Sequence, residues 1–256
     1  MTVGGPKVAS PGRSSALEVD GRASTESALV DNAEDLDRYL SPTWFIDSDN
    51  PGIRAHAVQI TKGCTTDEER AVNCFYAVRD GIRYDPYSIT AEPRDYRASV
   101  TLGRRVAYCI PKAVLLAALA RAVGIPARLG FADVRNHLAS KKLLAQLGTD
   151  LFIFHGFTEL WLAGSWIKAT PAFNIELCLR FGVRPLEFDG RHDSLFHEYS
   201  VDGQHNMEYL GARGNYADLP LNEILTAFKK EYGDFYYAPP SERDRDELFD
   251  APESLA

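Results

Sequence analysis

Apolar residues recur along this chain with two different periods. Ala71, Val72, Phe75 and Val78 follow helical spacing. Thr66 and Glu69 precede them in capping-box spacing, and Gly81 is a natural stop, so the pattern predicts a helix from Thr66 to Gly81. A second helix is predicted just after Cys109, with Pro111 at its first position, Ala/Leu-rich from Ala113 to Val123 and ended by Gly124. Ile125 to Asp133 reads as a strand, and Pro126 keeps that end out of a fully paired sheet centre. Ser140 to Leu147, closed by Gly148, reads as a short helix. Leu151 to Leu162 is an aromatic strand, and Trp166 to Ala172 follows after Ala163-Gly164, a hairpin signal. Ile82 to Tyr84 fits a short strand, and Arg97 to Val106 a loop or helical turn. Pro220 opens a last helix with Leu221, Ile224, Leu225 and Phe228 on one face.

Helices followed by an antiparallel hairpin predict an α+β fold. Residues 1–36, rich in Gly, Ser and charge, read as a flexible arm, and residues 238–256 as a charged tail, leaving 37–237 as the folded domain. The net charge of −8 argues against a general nucleic-acid binder. No run of 18 apolar residues exists, so no membrane span is expected. The four cysteines, Cys64, Cys74, Cys109 and Cys178, match neither a zinc pattern nor a disulfide framework, which points to a reducing, cytoplasmic setting. Nothing fixes the oligomeric state.

Cys109 stands apart because it heads a helix, where the dipole favours thiolate, the nucleophilic form. Its natural base is His155 on the first hairpin strand, where alternation places Ile153, His155, Phe157, Glu159 and Trp161 on one face. A two-residue turn sets Trp161 opposite Trp166, Glu159 opposite Lys168 and Phe157 opposite Thr170. Thr170 then lies diagonal to His155, roughly 7–8 Å away at the backbone, where a polar group fixes the imidazole tautomer. Tyr108, or the backbone N–H of Cys109, is placed to serve an oxyanion. His192, His197 and His205 with Asp189 and Asp193 form a His/Asp-rich stretch, but their spacing suits no regular metal site and no metal is expected.

The stretch Tyr108-Cys109-Ile110-Pro111-Lys112-Ala113, continued by Ala120-Arg121-Ala122-Val123-Gly124-Ile125-Pro126-Ala127-Arg128, resembles the core of the transglutaminase-like superfamily. So does His155-Gly156-Phe157-Thr158-Glu159 followed by Gly164-Ser165-Trp166. The resemblance covers about residues 66–175, and a bacterial branch matches on to about 231. It implies a papain-like fold, a Cys109 nucleophile and a His155 base, working without a cofactor through a covalent thioester. The family commonly has Asp-Pro where this chain has Thr170-Pro171. Asn174 and Asp133 are the nearby polar residues that remain as candidates for the third place, Asn174 also for substrate contact. The implied activities are acyl transfer or hydrolysis on peptide amides, with amine or water as acceptor. The alternatives are acyl transfer or cyclisation on carrier-bound thioesters, for which the missing carboxylate is better suited, and a binding domain with a degenerate site.

Overall fold

The computed structural model describes residues 1, 36–137, 139, 141–195 and 207–233. Nearly all of the expected arm, the whole of the expected tail, His197 and His205 lie outside the described residues. In chain order the elements are α1 (Pro51–Ile60), α2 (Asp67–Gly81), β1 (Arg83–Tyr84), α3 (Ala98–Arg104), β2 (Val106–Ala107), α4 (Cys109–Ala122) and β3 (Ala127–Asn136). Then come α5 (Lys141–Leu147), β4 (Leu151–Leu162), β5 (Ser165–Ala169), α6 (Ile175–Arg180), β6 (Met207–Tyr216) and α7 (Leu221–Tyr232). The fold is α+β, with an antiparallel four-stranded sheet in the order β5-β4-β3-β6.

α4 organises the molecule. Every residue from Cys109 to Arg121 is buried, as expected for a helix apolar on all sides. It packs against α1, α2 and α3 and against strands β3 and β4. Thr158 of β4 donates its hydroxyl to the Ala113 carbonyl of α4 at 2.9 Å. Gly156 makes the closest approach, since a Cβ there would lie 3.1 Å from Ile110 Cα. A glycine after His155 thus lets the sheet lie directly on the start of the helix.

Arg121 explains the charged residue inside this apolar helix. Its guanidinium is 4% exposed and donates to the carbonyls of Ala127, Ser41 and Ala217 at 2.6–3.1 Å. Burial lowers its pKa to about 10, partly opposed by Asp218.

The predicted hairpin register is observed, with Trp161 opposite Trp166 and Glu159 opposite Lys168. Ala163 and Gly164 both have positive φ, as a tight type I′ turn needs. The second strand is shorter than expected. It ends at Ala169, and Thr170 instead donates its N–H to the Ser194 carbonyl at 2.8 Å. Glu159 forms its ion pair with Arg128 across β3 rather than with Lys168. Pro111 sits third in its helix, because α4 begins at Cys109 itself.

Three elements had no periodic signal. α1 is announced only by its Asn50 cap and Pro51, with the Asn50 side chain accepting from Gly52 N–H. β6 is an edge strand whose residues are mostly exposed, so it carries no apolar alternation. α6 is only six residues long.

Candidate active site

Cys109 is the first residue of α4 and 7% exposed. Burial pushes its thiol up to about 11. The backbone N–H groups of Gly156, Ile110 and Cys109 and the charge of Lys112 pull the other way, less strongly. The expected thiolate is therefore not the resting form, because desolvation outweighs the field of the helix start. A neutral thiol needs a base at the moment of attack.

His155 is 5% exposed and lies on β4 opposite Ala132. Immediately before it the strand bulges, so that Ile153 and Phe154 together oppose Asp133. Phe154 takes a left-handed conformation with φ of 53°. Simple alternation would send successive side chains to opposite faces. The bulge instead lets Phe152, Ile153, Phe154 and His155 line one pocket in succession, so the expected run of alternation through Ile153 is interrupted. Cys109 and Tyr108 line the same pocket, which encloses about 50 Å³.

Asp133 holds the bulge. Its Oδ1 accepts the Phe154 N–H at 3.1 Å, while Arg213 binds both carboxylate oxygens at 2.6 and 2.7 Å. This candidate third residue is thereby committed to positioning the strand. Thr170 is 3% exposed, and its hydroxyl has no hydrogen-bond partner among the described residues. Asn174 caps α6 by position and accepts the Tyr84 N–H at 3.1 Å. Neither Thr170 nor Asn174 lines the pocket that holds Cys109 and His155. The Tyr108 hydroxyl donates to Tyr96 at 3.1 Å. The donors at the helix start are therefore the backbone N–H groups of Cys109 and Ile110, which point at the Cys109 sulfur and which the Tyr108 side chain does not cap.

Sequence reasoning passed over Lys112. It is fully buried one turn below Cys109, and its ammonium donates to the carbonyls of Arg79 (3.0 Å) and Ile82 (2.6 Å) at the end of α2. Burial lowers its pKa to about 7, opposed by Asp80. The cue was present as a lysine on a helix with no polar face. The pocket walls supplied by α5, β6 and α7 were also missed, since they come from sequence-distant segments.

His192 is exposed and pairs with Asp189 at 2.6 Å, which holds that carboxyl well below its ordinary value. Among the described residues no group of three or more His, Cys, Asp or Glu side chains is arranged to hold a metal, and no helix is long and apolar enough to cross a membrane.

A cysteine heading a buried helix, with a histidine from an antiparallel strand in the same pocket, is the arrangement that Cys-His nucleophilic catalysis uses. Residues 54–171 match the family model of the transglutaminase-like superfamily. Over those residues the chain carries a transglutaminase-like core, which supports a cysteine-based enzyme family. No curated protein matches the chain. Among solved structures, a proposed cysteine protease from Cytophaga hutchinsonii shares 18% identity over 73% of this chain and 56% of its own, with a TM-score of 0.44. A proposed protease from Parabacteroides distasonis shares 18% identity over 53% of this chain and 25% of its own, with a TM-score of 0.35. Red sea bream transglutaminase shares 13% identity over 84% of this chain and 40% of its own, with a TM-score of 0.30. The chain spans less than two thirds of each of these proteins.

Proposed function

We propose that this protein is an acyl-transfer enzyme with Cys109 as nucleophile and His155 as general base. The observation that carries the reading is that Cys109 and His155 line one pocket at the start of a buried helix. The thiol is neutral at rest, so attack and proton transfer go together. The Cys109 Sγ–carbonyl bond forms as the thiol proton passes to His155. The tetrahedral oxyanion is met by the backbone N–H groups at the head of α4. His155 then returns the proton to the leaving group as its bond to the carbonyl breaks, leaving a thioester on Cys109. An acceptor, deprotonated by the same imidazole, releases the product. No cofactor is needed for these steps.

The acyl donor we favour is a thioester. Thr170 stands where the family commonly has aspartate, so a charged imidazolium gains no carboxylate from that position. A thioester, whose leaving group is a good one, makes less demand on the base than an amide does. Because the mechanism needs a free thiol, a reducing compartment such as the cytoplasm suits it. The test is intact-protein mass spectrometry after mixing with an acyl thioester. A single acyl adduct on Cys109, absent from Cys109→Ala and formed at least 100-fold more slowly by His155→Ala, supports the proposal. Adducts independent of Cys109 would overturn it.

A further inference from the structure

We propose that the pocket beside Cys109 is an acyl pocket, shaped for a short apolar acyl chain and not for a glutamine side chain or a charged acyl group; this rests on the acyl-transfer reading. Four separate elements supply most of its apolar side chains. α5 supplies Leu143 and Leu147, β4 supplies Phe152 and Phe154, β6 supplies Met207 and α7 supplies Phe228. Among the described residues that line the pocket, none is Asp, Glu, Lys or Arg.

Three tyrosine rings, Tyr84, Tyr108 and Tyr232, also face it. Two of their hydroxyls are spent on the protein. Tyr108 donates to Tyr96, while Tyr232 donates to the Leu151 carbonyl at 3.0 Å and accepts the Ile153 N–H at 2.7 Å. Those two rings therefore present carbon to a guest. A primary carboxamide brings two donors and an acceptor that each need a partner, and a carboxylate brings a full charge. Beyond His155 and Cys109 at the reacting end, the polar side chain at the wall that is not a tyrosine is, among the described residues, Asn136. One amide does not satisfy a buried carboxamide as well as water does.

Size sets the chain length. The pocket encloses about 50 Å³. A single water-sized group takes about 10–15 Å³ on this measure, so there is room for about four heavy atoms. Beyond the carbonyl, the three carbons of a butyryl group or the four of a branched five-carbon acyl group fit that allowance. Each methylene moved from water into such a wall is worth about fourfold in the rate of acylation, so butyryl exceeds acetyl by about 15-fold.

The experiment uses the full chain and N-acetylcysteamine thioesters of acetate, butyrate, isovalerate, decanoate and succinate. Each acylation step exchanges the donor's C–S bond for a C–S bond to Cys109, and N-acetylcysteamine leaves as the thiol. Rates of adduct formation are read by intact mass, with Cys109→Ala as the blank. The expected order places butyrate and isovalerate about 15-fold above acetate, with succinate and decanoate below acetate. Leu147→Ala, which opens the α5 wall, is expected to move the optimum to longer chains. The wild-type series decides the matter even where that variant fails to fold. Succinate reacting as fast as butyrate, or rates indifferent to chain length, overturns the pocket assignment and leaves Cys109 acylation standing. No adduct at Cys109 from any of the five donors overturns the acyl-transfer reading and the pocket assignment together.

Discussion

Replacing Lys112 by Met removes a buried charge one turn from the nucleophile, and the consequence depends on pH. Lys112 is fully buried and sheds its proton in the folded protein at about 7, whereas an exposed lysine does so near 10.5. Between these values the unfolded chain binds more protons than the folded one, so stability rises with pH through that window. Below about pH 7 the ammonium is buried at full cost, on the order of 5 kcal/mol relative to the neutral amine. Methionine removes that cost but leaves the carbonyls of Arg79 and Ile82 without their donor, at about 1–3 kcal/mol each. Near neutrality the two effects roughly cancel, and a single stability value says little. The slope is diagnostic. Guanidinium unfolding of both proteins from pH 7 to pH 9 is expected to show the natural protein gaining about 2 kcal/mol over the Lys112→Met variant. The buried thiol of Cys74, raised to about 12, is common to both proteins and drops out of the difference, while those of Cys109 and Cys178, raised to about 11 and lowered in part by Lys112, stay protonated in both folded proteins up to pH 9. A difference that stays constant across this range would show that Lys112 keeps its proton, refuting the balance of burial against its carbonyl bonds and Asp80.

Other consequences are equally accessible. Alkylation of Cys109 by iodoacetamide at pH 7.5 should run about two orders of magnitude slower than that of free cysteine and rise about tenfold per pH unit toward 11, since thiolate is the reacting form; a plateau below pH 8 would show a stabilised thiolate. Gly156→Val should lower acyl-enzyme formation about 100-fold, because a side chain there meets Ile110 and displaces His155 from Cys109; unchanged rates would separate the contact from the chemistry. Thr170→Val should leave thermal stability unchanged or raise it by up to about 1 kcal/mol, as the hydroxyl lost is buried and has no partner among the described residues, and a fall beyond that in a melting experiment would expose a bond the structure does not contain. Arg121→Met should cost about 3 kcal/mol or more in chemical denaturation, because three backbone carbonyls lose their donors at once; a smaller loss would mean that water replaces the guanidinium.

The sequence made the axis of the site legible because two strong local signals coincide there. Cys109 heads a helix apolar on every side, and the Ala163-Gly164 turn sets the hairpin register from which His155 is placed. What stayed hidden is tertiary in origin. The bulge at Phe154 depends on Asp133 and Arg213, residues far apart in sequence, so alternation through Ile153 gave a misleading face. The high pKa of Cys109 comes from burial by several elements at once, which a local reading of the helix start does not contain. β6 hides because an exposed edge strand needs no apolar pattern. Lys112 shows the reverse case, since a lone lysine in an Ala/Leu-rich helix was a visible sign of a buried, carbonyl-bonded cation.

The most direct test of the account is the mass of the full chain after brief exposure to butyryl-N-acetylcysteamine. The account predicts a single butyryl adduct mapped to Cys109, lost in Cys109→Ala and strongly slowed in His155→Ala. An unmodified Cys109, or an adduct that survives its replacement, would contradict it.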